Sequence, residues 1–311
     1  RASMDEVDEL LPPHLGFSVL KTVVYAKDDH AVGDTTTLQS QPTLFAIEYS
    51  LTRVWAMLGV EPNVVMGHSV GEIVASVLAG VLSVADAAKL ICVRAKAMHA
   101  VPAGRGGMSV VFVGEAAAQA LCESYKVEIA AVNGDNCVTI AGSFSGLDAM
   151  QEHLKDKDIR FKRLDVARAF HTSHMESALP SMIEIVKEIN VKAPKSTPKL
   201  VSLLSGGLMT ETPGPEHWAD HVRKPVLFLQ GMRSLLKDGR PRVFIELGPD
   251  AALTAMAKRI VPAFDPNVAL IPTMTKARRE DENLRLAEAF GKAYVAGVNL
   301  KFKALKVGPP M

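Results

Sequence analysis

Cysteine is scarce: 3 of 311 residues, at 92, 122 and 137, an odd number without C-x-x-C spacing. That pattern argues against a disulfide framework and against a zinc cluster, and it suits a reducing, cytoplasmic setting. Long apolar runs are missing as well. None reaches the ~20 charge-free residues of a membrane span, and the richest stretch, 64–93, is interrupted by His68, Glu72, Asp86 and Lys89. Net charge is nearly absent, because 35 Lys and Arg stand against 34 Asp and Glu. A global electrostatic pull toward nucleic acid or an anionic membrane is therefore not expected, and a charged substrate would have to be held by local charges. The N-terminus is acidic and polar, without the basic start and apolar core of a signal peptide. Internal repeats, low-complexity tracts and coiled-coil heptads are lacking too.

What is present is ample core material. Hydrophobic residues make up 48% of the chain, and the mean hydropathy is +0.14. Disorder requires the opposite composition. The length suits one large α/β domain, or a body carrying a smaller insert. Arg1 opens the chain without an initiator Met and the first residues read as mid-domain, so excision from a longer polypeptide is expected.

Periodicity divides the chain in two textures. Apolar residues at 44, 47, 51, 54, 55 and 58 have helical spacing, with Pro42 near the expected helix start. Residues 63–66 read as a buried strand closed by Gly67, and an Ala-rich helix is expected over 73–82, with Gly80 inside it. Another helix is predicted from Asp86 to Met98, capped by Ser83. The Pro- and Gly-rich stretch 102–107 reads as a linker. Beyond it, strands at 108–113, 127–132, 138–141 and 160–164 alternate with helices at 115–124 and 145–155. This β-α-β-β-α-β order is the ferredoxin-like pattern. It predicts an inserted subdomain over 106–166 within a body formed by 1–105 and 167–311.

Between the strand and the Ala-rich helix, Gly67-His-Ser-Val-Gly71 fits G-x-S-x-G, the nucleophile elbow. A serine on so tight a turn is strained, and flanking glycines permit the close backbone approach. The N–H groups of the following helix favour an oxyanion beside Ser69. A hydroxyl needs a base, and Ala169-Phe-His-Thr-Ser-His174 offers two histidines in one loop. Asp148, Asp156, Asp158 and Asp165 are all available to complete a triad, and none is singled out by its surroundings.

Taken with further blocks in order, these residues resemble the acyltransferase domain of type I polyketide synthases and fatty-acid synthases. That family is related to the bacterial malonyl-CoA:acyl carrier protein transacylase. The blocks are Gln41-Pro-Thr-Leu-Phe, Gly67-His-Ser-Val-Gly-Glu72, Arg94 within Cys-Val-Arg-Ala-Lys-Ala-Met, Gly107-Met108, Val132-Asn133-Gly, Ala169-Phe-His171, Lys224-Pro-Val-Leu-Phe228 and Glu246-Leu-Gly-Pro249. The resemblance implies an α/β-hydrolase-like body with a ferredoxin-like insert. It implies Ser69 as the acyl-carrying nucleophile and His171 as general base then acid, oriented by a backbone carbonyl near Leu227. Arg94 would grip a malonyl carboxylate through paired hydrogen bonds that Lys cannot reproduce. On the residues alone, Arg94 reads as a solvated charge on an amphipathic helix.

Gln41, His68 and Asn133 are further substrate-pocket candidates by resemblance. Phe170 would favour malonyl over methylmalonyl, because its ring can fill the space of a methyl branch. One methyl discriminates by only ~1–3 kcal/mol. The family's Gly-Gln-Gly-rich N-terminal strand-loop, a source of one oxyanion donor, has no counterpart here, which leaves the N–H of Val70 and an expectation of impaired activity. Implied partners are malonyl-CoA as the coenzyme A thioester substrate, the phosphopantetheine thiol of an acyl carrier protein, and neighbouring synthase domains such as a ketosynthase. No cofactor is implied. A serine esterase or thioesterase, and a catalytically impaired structural domain, are the alternatives.

Overall fold

In a computed structural model the described residues are 1–24, 36–240, 242–262, 265–275 and 282–304. The strands among these residues are β1 (Val64–Met66), β2 (Gly106–Val111), β3 (Glu128–Gly134), β4 (Cys137–Ser143), β5 (Phe161–Arg163), β6 (Lys199–Ser202), β7 (Gly207–Met209), β8 (Arg242–Glu246) and β9 (Val268–Pro272). They form three sheets. β1 pairs in parallel with β6, which pairs antiparallel with β7. β8 and β9 form a parallel pair of their own. β2 to β5 form an antiparallel sheet in the order β3-β4-β2-β5.

That four-stranded sheet carries the helices Glu115–Tyr125 and Phe144–Asp156 between its strands. With the two central strands β4 and β2 flanked by β3 and β5, it has the ferredoxin-like arrangement that the strand-helix order implies. Leu147, Met150, Leu154, Val138, Ile140 and Val111 make its own apolar core. The surrounding body is the α/β-hydrolase-like part. Its largest core joins the helices Thr37–Met57, Val70–Leu78, Val84–Ala100, Leu179–Glu188 and Pro215–Arg223.

Several expected boundaries move, each for a local reason. The helix expected over 73–82 runs instead from Val70 to Leu78, and Gly80, at φ 73°, terminates it. Glycine takes the left-handed conformation that closes a helix without a Cβ penalty. The helix of Gln41 starts at Thr37, one turn earlier, behind a capping box of Thr36 and Gln39, so Pro42 lies inside it. Gly106 and Gly107, read as linker, belong to β2, opposite Ser143 and Gly142. A Cβ on Gly106 would sit 2.6 Å from the Gly142 carbonyl, so glycine serves close strand packing here, not flexibility. Ser83 caps the Val84–Ala100 helix as expected, accepting from the Asp86 N–H.

One segment joins the small sheet to the body. Val226 exchanges backbone hydrogen bonds with Ala130 and Val132 of β3, while the Leu227 N–H donates to the Leu203 carbonyl beyond β6. Residues 224–227 are thus clamped from both sides.

Candidate active site

The elbow is built by backbone contact. A Cβ on Gly67 would lie 1.9 Å from the Gly71 carbonyl carbon, so no side chain fits. At Gly71 the constraint is milder, for a Cβ there would meet only the Glu48 carboxylate at 3.4 Å. Between them Ser69 adopts φ 51° and ψ −114°, a conformation that non-glycine residues rarely hold. The turn sets Ser69 at the N-cap of the Val70–Leu78 helix.

His171 also has a positive φ, 59°, so both members of the pair are held in strained backbone. Its Nε2 lies 2.9 Å from Ser69 Oγ, and its Nδ1 lies 3.1 Å from the carbonyl oxygen of Lys224. A carbonyl only accepts, so Nδ1 carries the ring proton and Nε2 presents a lone pair to the serine. The resemblance placed this carbonyl near Leu227, and the structure corrects it to Lys224. The Leu227 carbonyl is already the acceptor for Gly231 N–H at the start of the next helix. Lys224, one residue past the Pro215–Arg223 helix in extended backbone, has its carbonyl free to meet the imidazole. None of the four candidate aspartates holds His171, and Asp148 pairs instead with Arg163.

Arg94 completes the group. Its Nη2 donates to Ser69 Oγ at 2.9 Å, and its Nη1 donates to Gln41 Oε1. Gln41 is positioned in turn by a contact from Nε2 to Met98 Sδ at 3.4 Å. With Arg94 donating to the hydroxyl oxygen, the serine's own proton points to His171. Arg94 is only 1% exposed, and its Nε has no hydrogen-bond partner among the described residues. No carboxylate forms an ion pair with it among the described residues. Burial lowers its pKa to about 10, with Glu72 acting in the opposite sense. A buried cation without a counter-ion is costly unless an anion joins it. The solvated-charge reading of this arginine therefore does not hold.

His68 and Asn133 meet each other, not the serine. His68 Nε2 lies 3.0 Å from Asn133 Oδ1, and Asn133 Nδ2 donates to Thr139 Oγ1 at 3.1 Å. This chain ties the elbow to β3 and β4 of the small sheet. Phe170 packs against the main core and against the cluster of Met108, Ala130 and Ala169. His174, the other loop histidine, lines a separate cavity of about 320 Å³ with Val101, Arg105, Ser173 and Ser177.

Sequence reading missed a second polar group behind the elbow. Glu72, 1% exposed, accepts from Ser202 Oγ at 2.8 Å and Leu203 N–H at 2.9 Å. His217 Nε2 reaches the same carboxylate at 3.1 Å, and the nearby His221 Nε2 lies 3.0 Å from the Ser69 carbonyl. The available signals were the place of Glu72 at the end of the Gly67-His-Ser-Val-Gly-Glu72 block and the i, i+4 spacing of His217 and His221 around Trp218.

Over residues 1–300 the chain matches the family described as the acyl transferase domain. It belongs to that family. It is 37% identical to the polyketide synthase GfsA of Streptomyces halstedii over 306 residues, covering 96% of the chain. The chain spans only 4% of the length of that synthase. Among solved structures, it is similar to the acyltransferase domain from the second module of the salinomycin polyketide synthase. Identity there is 34% and the TM-score 0.87, over 99% of this chain and 70% of that one. An acyl-carrier-protein S-malonyltransferase from Burkholderia pseudomallei is 26% identical with a TM-score of 0.78, over 93% and 92% of the two chains. This acyl transferase domain thus has the family's two-part fold, and its serine, histidine and arginine converge at the elbow.

Desolvation lowers the pKa of His171 to about 3, with Arg94 and then His68 adding repulsion. Burial lowers that of His221 as well. Both rings are neutral when folded, whereas the unfolded chain protonates them below about 6.5. The unfolded state then binds more protons, so stability falls as pH drops below about 6.5. Each ring contributes a slope of at most about 1.4 kcal/mol per pH unit. Urea denaturation at pH 7 and pH 5 should show the loss, and the double substitution His171→Gln and His221→Gln should reduce it, leaving the share of His68, whose pKa burial also lowers.

Proposed function

We propose that this acyl transferase domain moves a malonyl unit from coenzyme A to the phosphopantetheine thiol of an acyl carrier protein, through an ester on Ser69. The observation that carries this reading is Arg94, a buried guanidinium that forms no ion pair with a carboxylate among the described residues, 2.9 Å from the Ser69 hydroxyl. A free carboxylate on the acyl group supplies the missing anion, and a planar guanidinium can hold it through two hydrogen bonds. Acetyl and other uncharged acyl groups leave the cation unpaired.

In the first half-reaction His171 Nε2 takes the Ser69 proton as Oγ attacks the thioester carbonyl. The oxyanion forms beside the Val70 N–H, at the helix N-terminus that favours negative charge. Collapse of the tetrahedral adduct breaks the C–S bond, and the imidazolium protonates the departing coenzyme A thiolate. The second half-reaction reverses the sequence with the carrier thiol as nucleophile. Its proton passes to His171, then to Ser69 as the ester is cleaved. The Lys224 carbonyl holds the ring in the tautomer these steps need and supports the imidazolium.

Gln41 sets the guanidinium's orientation, His68 on the elbow and Asn133 on the small sheet brace the pocket, and Phe170 limits room for a 2-methyl branch. The body of 1–105 and 167–311 supplies the chemistry, with 106–166 as the inserted unit. Kinship with polyketide synthases supports a place in a multidomain synthase, beside partners such as a ketosynthase and a carrier protein.

Ser69→Ala should abolish the malonyl adduct seen by intact-mass spectrometry after malonyl-CoA treatment, since no neighbouring side chain can replace the hydroxyl. Long-lived ester that is discharged only by a carrier protein marks a transferase, whereas rapid loss to water marks an esterase. His171→Ala should slow loading and unloading by about 10²–10⁴-fold. His174→Ala, in its separate cavity, should do far less, and the reverse ranking would reassign the base.

Arg94→Ala separates two substrates. Malonyl loading should lose on the order of 2–5 kcal/mol, as for truncation of a buried charge pair. Acetyl loading should stay level or improve, because the unpaired cation is gone. Competition between malonyl-CoA and acetyl-CoA on both proteins measures this, and equal losses would remove Arg94 from carboxylate recognition.

A further inference from the structure

The helix Pro215–Arg223 lies behind the elbow and turns two histidines toward it. The rings of His217 and His221 are stacked, 6.5 Å apart at 18°, with Trp218 edge-on to both. His217 engages the Glu72 carboxylate, whereas His221 Nε2, among the described residues, meets only the Ser69 carbonyl, at 3.0 Å. Since that oxygen can only accept, His221 carries its proton on Nε2. Its other nitrogen, Nδ1, is buried with no hydrogen-bond partner among the described residues. A buried nitrogen left bare is unfavourable, and a phenylalanine or leucine would fill the same space without that cost. What the imidazole supplies that an apolar side chain could not is the hydrogen bond to the Ser69 carbonyl.

That contact acts on a particular peptide plane. The Ser69 carbonyl and the Val70 N–H belong to one rigid unit, and in a trans peptide they point in opposite directions. The only cis peptide bond in the described chain is at Thr197-Pro198. The carbonyl also accepts from the Glu72 N–H at 3.0 Å, so both of its lone pairs are engaged. Among the described residues the Val70 N–H has no protein acceptor and remains open. Two donors pulling on the oxygen side of the plane set the direction of the N–H on the other side. With Ser69 at φ 51°, the plane has no regular helical neighbours before it to fix its tilt.

We infer that His221 is a positioning residue for acyl transfer: by holding the Ser69 carbonyl, it aims the Val70 N–H at the oxygen of the acyl group carried on Ser69. This rests on the assignment of Ser69 as the acyl carrier. The residue touches no substrate atom. Its effect passes through the peptide plane, and it strengthens only when charge develops on the acyl oxygen. Transition-state binding should therefore suffer while ground-state binding does not.

His221→Phe keeps a ring against Trp218 and removes the donor, while His221→Gln places an amide N–H near the position of Nε2. Rapid-quench measurements with malonyl-CoA on the 311-residue chain are expected to show loading and acyl-enzyme breakdown each slowed about 10–10²-fold in the Phe variant, short of the 10²–10³ for losing a whole oxyanion donor. KM and the burst amplitude, which counts competent sites, should hold, and the Gln variant should recover most of the rate. Equal damage in both variants with a reduced burst amplitude would mean that His221 only packs, and would overturn the inference. So would a full rate in the Phe variant while Ser69→Ala is inactive, which leaves the Ser69 assignment standing. An adduct surviving in Ser69→Ala overturns that assignment and this inference together. A crystal structure of His221→Phe gives a reading independent of activity. The Ser69–Val70 peptide plane is expected to rotate, and an unchanged plane would refute the role.

Discussion

The site depends on one steric fact, the near-contact of Gly67 with the backbone of Gly71. At 1.9 Å from a carbonyl carbon, no Cβ is possible on Gly67, and the chain can reverse from β1 into its helix within three residues. Everything else at the elbow follows from that reversal. Ser69 is forced into a strained conformation at the helix N-terminus, its Oγ is turned outward toward His171 and Arg94, and its carbonyl is turned inward toward His221. Strain of this kind costs of order 1–3 kcal/mol per residue and persists only where its surroundings over-determine it. Here they do, through Glu72, Ser202, Leu203, His217 and His221 on the buried side.

Electrostatics on the open side are equally one-directional. The site holds a cation, a neutral imidazole kept neutral by burial and by that cation, and a hydroxyl whose proton is directed to the imidazole. An anionic group entering beside Arg94 relieves the unpaired charge and also removes the repulsion that lowers the His171 pKa. In the proposed malonyl transfer, substrate binding and the basicity of His171 would thereby be coupled, since a proton arriving on His171 is better tolerated once Arg94 is neutralised.

The division of labour between the two parts of the fold is also physical. The small sheet contributes Asn133 to His68 at the elbow, and β3 grips Val226 by backbone hydrogen bonds. That grip, together with the bond from Leu227 to Leu203, fixes the segment whose first carbonyl orients His171. The insert therefore helps to set the tautomer of His171 from a distance, through the chain it holds in place.

Local features were legible in the amino-acid sequence because they are local. Alternating strands and helices at 108–164 specify the ferredoxin-like unit by periodicity. The G-x-S-x-G spacing specifies the elbow because only glycine satisfies the close approach at 67, and the ordered blocks around Gln41, Arg94 and His171 name the residues that converge. Tertiary structure decided the rest. Which carbonyl faces His171 depends on which one the following helix has already consumed, so Lys224 replaces the neighbourhood of Leu227. Whether Arg94 is solvated or buried depends on packing between helices far apart in the chain, and the amphipathic pattern of its own helix carries no record of it. His221 is the extreme case. It stands 152 positions from the serine whose carbonyl it holds, and a hydrogen bond across that separation exists only once the chain has folded to bring a helix behind the elbow.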